Sequence, residues 1–207
     1  MIKGIIKTAP LQGIVRYLPV CLNEKKSCLY ADKIITLNNR DKKLVETEYK
    51  RSSDILLPIS LSDSVNDIEF TAKSIGKVKK GLFVGSFFFG NIEGLNFFLE
   101  KVFPYVDMEL TIVGRGMSNL KINNDKIHIF DGVESLIPFY QQSDFVVAPI
   151  ISGGGMKVKI AEAMMFGKII IGTPEAFEGY DNIPFSKICN NPQEFICLLY
   201  TSDAADE

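Results

Sequence analysis

From Gly81 onward, short continuous apolar runs alternate with stretches of helical periodicity, and nothing else in the 207-residue chain constrains the fold as tightly. Leu82-Phe83-Val84, Glu109–Val113, Ile127–Phe130, Phe145–Ala148 and Lys168–Ile171 read as strands. Between them, Asn91–Phe103 carries Ile92, Leu95, Leu99, Val102 and Phe103 at helical spacing, and Glu134–Gln142 and Met156–Phe166 read as helices. Strands that are apolar throughout must be covered on both faces, which crossover helices on a parallel sheet achieve. The predicted fold class is α/β, a doubly wound parallel sheet.

The first 60 residues read differently. Ala31–Leu37 and Ile55–Ile59 are predicted strands, the second stopped by Pro58, and Asn39–Tyr49 is a predicted charged helix. Residues 62–80 read as a linker, and the chain before Ala31 carries no clear pattern. Lys and Arg total 23 against 25 Asp and Glu, a balance without the basic excess of a nucleic-acid binder. A single histidine, His128, excludes multi-histidine metal sites; lying in an apolar strand, it reads as structural. The four cysteines form no C-x-x-C pair, so neither a zinc ribbon nor a thioredoxin-like motif is supported. Their low density makes the reducing cytoplasm the default compartment, and no run of about 18 apolar residues spans a membrane.

In an open α/β sheet, ligands bind outside the carboxyl ends of the strands. Four such ends carry glycine here: Gly85, Gly114 with Gly116, Gly132, and Gly153-Gly154-Gly155. The triplet precedes a helix, whose start offers free N–H groups and a positive dipole, an arrangement suited to a pyrophosphate. A ligand-free loop is the alternative. Gly155, Lys159 and Glu162 fall at i, i+4 and i+7, one face of a helix starting at Met156. On that face Lys159 neutralises phosphate and Glu162 accepts from ribose hydroxyls, with Lys157 contributing from another face; the alternative is a Lys–Glu surface pair. Arg115 and Gly85-Ser86 are each either ligand contacts or turn residues, and Phe87-Phe88-Phe89 is core, a loop wedge or an aromatic beside a base.

The order of these motifs resembles the C-terminal half of GT-B glycosyltransferases of family 4. Phe83-Val84-Gly85-Ser86, Asn91-x-x-Gly94, Ile112-Val113-Gly114-x-Gly116, Tyr140-x-x-x-Asp144 and Val146-Val147-Ala148-Pro149 carry the likeness. Its most specific stretch runs from Gly153 through Lys157, Lys159, Glu162-Ala163-Met164 and Gly167-Lys168 to Gly172-Thr173. The resemblance implies a Rossmann-like domain that grips a nucleotide-diphospho-sugar donor as substrate, with no cofactor and no metal. It places Gly153–Gly155 and Lys159 at the diphosphate, Glu162 at the ribose, the Val133 backbone at the base, and Gly85-Ser86 along the cleft. The family's E-x7-E pair is incomplete, since Gly154 stands at the first acid, and the Arg and Lys that many relatives carry after the first strand are missing from Ser86–Asn91.

By the same resemblance, residues 1–60 are a remnant of an N-terminal acceptor domain, with Leu57-Pro58 at the interdomain crossing, and residues 61–196 are the donor-binding domain. Met1 then reads as an internal methionine. Residues 197–207 resemble a translated sequencing adapter, which would stop the natural sequence near Ile196, inside the helix after Pro192, and leave the final helix of the fold missing; the alternative is a natural polar tail. The expected parent is a cytoplasmic or peripherally membrane-associated glycosyltransferase of cell-surface polysaccharide synthesis, acting on a glycan or lipid-linked acceptor, and this chain alone is expected to be inactive. The alternatives are a non-catalytic nucleotide-binding module and a nucleotide-sugar epimerase of the same fold.

Overall fold

The computed structural model describes residues 10–62, 79–153, 155–181, 183 and 185–201. By contacts the chain divides into two units: residues up to Ile59 with Gly153–Met156, and Ser60–Ser152 with Lys157 onward.

The first unit contains α1 (Pro10–Tyr30), β1 (Ile35–Thr36), α2 (Asn39–Tyr49) and β2 (Ile55–Leu56). The described part of the segment without a clear pattern, from Pro10 on, is thus a helix, α1. Helix α2 has its predicted bounds because Asn38 caps it, the side-chain oxygen accepting from the Asp41 N–H at 2.8 Å, and Lys50 ends it in the left-handed region. The two strands pair in parallel but are shorter than predicted. Side-chain bonds displace the ladder: the Asp54 carboxylate accepts from the Ile34 N–H and the Lys33 ammonium, both at 2.9 Å. Beyond Leu56, the Leu57 N–H reaches Thr36, and Pro58 then has no N–H to donate.

The second unit is built on a six-stranded parallel sheet of β3 (Lys79–Val84), β4 (Met108–Val113), β5 (Ile127–Phe130), β6 (Phe145–Ala148), β7 (Ile169–Gly172) and β8 (Ser186–Ile188). Its order is β5-β4-β3-β6-β7-β8, the doubly wound arrangement with the direction of winding reversing between β3 and β6. Lys79 and Lys80, read as linker, are the first residues of β3, because Lys79 pairs with Met108 in the ladder; residues 63–78 of that linker lie outside the described residues.

Alternate residues of each strand fill two cores. Phe83, Leu110, Ile112, Phe145, Val147 and Ile171 face α3 (Phe89–Lys101), through Leu95 and Phe98, and the last helix, through Phe195 and Leu199. Leu82, Val84, Val113, Val146 and Ile170 face α4 (Ile137–Gln142), through Tyr140, and α5 (Val158–Met165), through Ile160 and Ala163. Full burial of such side chains stabilises the fold by about 1.5–3 kcal/mol each before entropy is counted.

Several helix boundaries differ from the sequence reading, and α3 itself starts and ends two residues earlier than Asn91–Phe103. Helix α4 starts three residues late, where Pro138 occupies a first-turn position. Helix α5 starts at Val158, since Gly155 has φ +67° and Lys157 is extended. The helix expected after Pro192 is α6 (Pro192–Thr201) and runs across the 196/197 boundary, with Leu199 5% exposed and its carbonyl accepting from the Lys79 ammonium. Residues 202–207 lie outside the described residues.

Candidate functional site

The reversal between β3 and β6 puts the ends of those strands at the crevice where open α/β sheets bind ligands. At the end of β3, Gly85 and Ser86 turn the chain into α3. The loops after β3 and β4 meet through backbone, as a Cβ on Gly114 would stand 1.8 Å from the Gly85 carbonyl oxygen. Helix α3 then packs against the end of β6. A Cβ on Gly94 would stand 1.9 Å from the Pro149 carbonyl oxygen, and the Glu93 carboxylate accepts from the Ser152 hydroxyl.

Lys159, in the first turn of α5, reaches this corner. Its ammonium donates to Asn91 Oδ1 at 2.8 Å and lies 4.8 Å from the centre of the Phe83 ring, over the last residues of β3. The Asn91 carboxamide also donates to the Ser86 carbonyl at 3.0 Å. Burial pushes the Lys159 ammonium down to about 8, the neighbouring Lys157 adding to the shift and Glu162 opposing it. Glu162 lies one turn further along α5 and accepts from the Tyr140 phenol at 3.2 Å. Burial, followed by the Glu162 carboxylate, holds that phenol well above the usual tyrosine range.

The structure thus brings Gly85, Ser86 and Lys159 together through Asn91. It does not put Gly155, Lys159 and Glu162 on one helical face, because α5 begins after Gly155. Nor are Lys159 and Glu162 a solvated surface pair; both are half-buried and bonded to other elements. Lys157 is the cap residue of α5, and its ammonium pairs with Glu175 at 3.2 Å. Gly153 and Gly155 group by contact with the first unit, where a Cβ on Gly155 would stand 4.0 Å from Asp41 Oδ2; Gly154 lies outside the described residues.

Arg115 is exposed, its carbonyl accepting from the Phe87 N–H at 2.8 Å. Its loop is shaped by Asp131, whose carboxylate accepts from the Gly116 N–H at 2.7 Å, the Ser118 N–H at 3.0 Å and the Ser118 hydroxyl. These bonds hold the Asp131 carboxyl below the usual range, the Ser118 hydroxyl first among them. Val133 is half-buried against the α4 side of the sheet, just after Gly132 at φ +61°. Phe87, Phe88 and Phe89 are each about half exposed at the β3 end, so they are not core. His128, read as structural, is an exposed residue of the edge strand β5.

Sequence reasoning did not select Asn91, Glu93, Asp131 or Tyr140 as site residues. Asn91 and Tyr140 stood inside quoted motifs, and no local pattern marks Asp131. Among the described residues, no group of three or more His, Cys, Asp or Glu could hold a metal ion, and no helix is long and apolar enough to cross a membrane.

Residues 78–195, more than half of the chain, match the model of the family described as glycosyl transferases group 1. The chain belongs to that family. A relative of this group 1 glycosyltransferase chain, an uncharacterised 44.6 kDa protein in the cps region of Klebsiella pneumoniae, is 31% identical over 115 residues, 47% of this chain and 30% of that protein. A glycosyltransferase from Rickettsia africae ESF-5 shares the fold with TM-score 0.64 and 20% identity over 83% of this chain and 53% of its own. The pneumococcal O-GlcNAc transferase GtfA, solved in complex with UDP and GlcNAc, gives TM-score 0.59 and 15% identity over 87% of this chain and 40% of its own. The group 1 chain therefore spans about half, or less, of the length of the proteins it matches.

Proposed function

We propose that the second unit binds the nucleoside diphosphate of a sugar donor. In this reading Lys159 neutralises the diphosphate, and Glu162, held by Tyr140, accepts from the ribose hydroxyls. Gly85 and Ser86 line the floor of the crevice, Arg115 and Lys157 add positive charge at its rim, and the Val133 backbone meets the base. For Gly153, Gly154 and Gly155 the reading rests on the motif alone. The observation that carries it is Lys159: a half-buried ammonium, held on Asn91 over the last residues of β3 at the reversal point of the sheet, stands where an anion can use it.

The chemistry that follows is electrostatic. When the bond between sugar and diphosphate breaks, negative charge grows on the departing phosphate, and a fixed ammonium in a water-poor site stabilises that charge more than the ground state. The parent enzyme would transfer the sugar to a glycan or lipid-linked acceptor in cell-surface polysaccharide synthesis, in the cytoplasm, taking its donor as substrate and using no resident cofactor. The finer assignment to GT-B family 4 rests on the motifs from Gly153 to Thr173.

The test is equilibrium binding of UDP, GDP and pyrophosphate to the 207-residue chain. Binding by the wild type that falls in Lys159→Ala, with Glu162→Ala losing UDP or GDP affinity but little pyrophosphate affinity, supports the reading. A wild type that binds none of the three overturns it.

A further inference from the structure

Two features frame Lys159 without being explained by ligand contact: a carboxamide bonded through both its oxygen and its nitrogen, and a glycine whose Cβ would crowd that carboxamide. Asn91 Oδ1 takes the Lys159 ammonium, and Asn91 Nδ2 donates to the carbonyl of Ser86, 68 and 5 residues away in sequence respectively. A Cβ on Gly85 would lie 2.9 Å from the Asn91 carboxamide carbon, so a side chain in this loop would push the amide aside. The rest of the α3 start is fixed against the end of β6 independently, by Glu93 on Ser152 and by Gly94 against Pro149.

We infer that Asn91 is a positioning residue for the donor site: its carboxamide aims the Lys159 ammonium and couples it to the Gly85-Ser86 loop. The inference rests on the donor reading above. An asparagine suits the task chemically. It accepts from a cation without neutralising it, leaving the positive charge for a phosphate, and it offers N–H donors to hold the loop with the same group. A carboxylate at this position would hold the lysine but cancel its charge and repel a diphosphate. An apolar isostere would leave the ammonium desolvated without its acceptor.

Two variants separate this role from a structural one. Asn91→Leu keeps the volume and removes the acceptor; Asn91→Asp keeps the acceptor and adds charge. In the free chain, the Lys159 side chain is titrated by NMR of its ε-carbon; UDP and GDP affinities are measured in parallel. Expected is a lower titration midpoint in Asn91→Leu and a higher one in Asn91→Asp, with UDP or GDP bound about tenfold more weakly by both. Unfolding would instead return Lys159 to its ordinary range in both variants. An Asn91→Leu chain with either an unmoved Lys159 midpoint or an unmoved affinity overturns the inference and leaves the donor reading standing. A wild type that binds neither UDP nor GDP overturns the donor reading, and the inference with it.

Discussion

The Tyr140 phenol, fully buried on α4, donates to the Glu162 carboxylate of α5 at 3.2 Å, while its ring stacks on Phe166 at 4.5 Å with the planes 9° apart. One side chain therefore packs the second core and orients an acid at its edge. Tyr140→Phe keeps the stack and removes only the donor. The expected loss is about 1–2 kcal/mol in chemical denaturation, with UDP affinity reduced as Glu162 loses its fixed orientation. A variant as stable as the wild type would show that the bond contributes nothing net.

Gly94 lies inside α3, where alanine would ordinarily gain up to about 1 kcal/mol in helix propensity. Close approach outweighs propensity here, because the Pro149 carbonyl oxygen already occupies the space that a Cβ needs. Gly94→Ala is expected to destabilise by about 2–3 kcal/mol, read as a fall in melting temperature. Gly132→Ala meets no neighbouring atom within 4 Å, yet its φ of +61° makes it a control for backbone strain without steric clash.

What the sequence made legible was the sheet. Ile127–Phe130 and Phe145–Ala148 begin and end as read. The second is buried at every position and apolar throughout, as a strand covered on both faces must be, while the first, at the sheet edge, admits the exposed His128 between apolar residues. Helix starts were less legible where punctuation sat inside the pattern: Pro138 and the left-handed Gly155 each delayed a helix that periodicity alone would begin earlier. The site was half legible. Lys159 and Glu162 stand on one helix at i and i+3, but the partners that orient them, Asn91 and Tyr140, come from α3 and α4. Only the folded crossovers bring those residues together, so no local spacing could reveal the pairs.

The Lys159 ammonium sets a pH limit on anion binding. Burial penalises its charged form, moving deprotonation from the ordinary 10.5 to about 8. A diphosphate needs the cation, so UDP affinity is expected to be flat near pH 7 and to fall as pH rises through about 8, up to about tenfold per unit once the lysine is mostly neutral. Isothermal titration across that range measures it. Lys159→Arg, which stays charged, is expected to flatten the profile; a wild-type affinity unchanged at pH 9 would count against a phosphate role for this residue.

Asp131 predicts the opposite limb. Its folded carboxyl is held below its ordinary value by Ser118 and Gly116, so its contribution to stability is present above the unfolded value of about 4 and fades as pH falls through the folded one. Asp131→Asn should lower the melting temperature at neutral pH and lessen the loss as pH falls below about 4. A melting curve whose acid limb is the same in both proteins would remove the Asp131 bonds from the account of the Arg115 loop.

Helix α6 closes the first core from the end of the described chain, and its contribution is separable residue by residue. Leu199 is 5% exposed and packs with Phe195 among the side chains beneath α3, whereas Tyr200 beside it is 71% exposed. Leu199→Ala is expected to cost about 3 kcal/mol as lost transfer energy and a residual cavity, and Tyr200→Ala to stay within about 0.5 kcal/mol. Truncation after Ile196 removes the Leu199 packing and a carbonyl that accepts from the buried Lys79 ammonium, so it should destabilise more than Leu199→Ala alone. Guanidinium denaturation of the three variants orders them. Equal midpoints for the truncated chain and the wild type would mean that residues 197–201 do not belong to the packed domain.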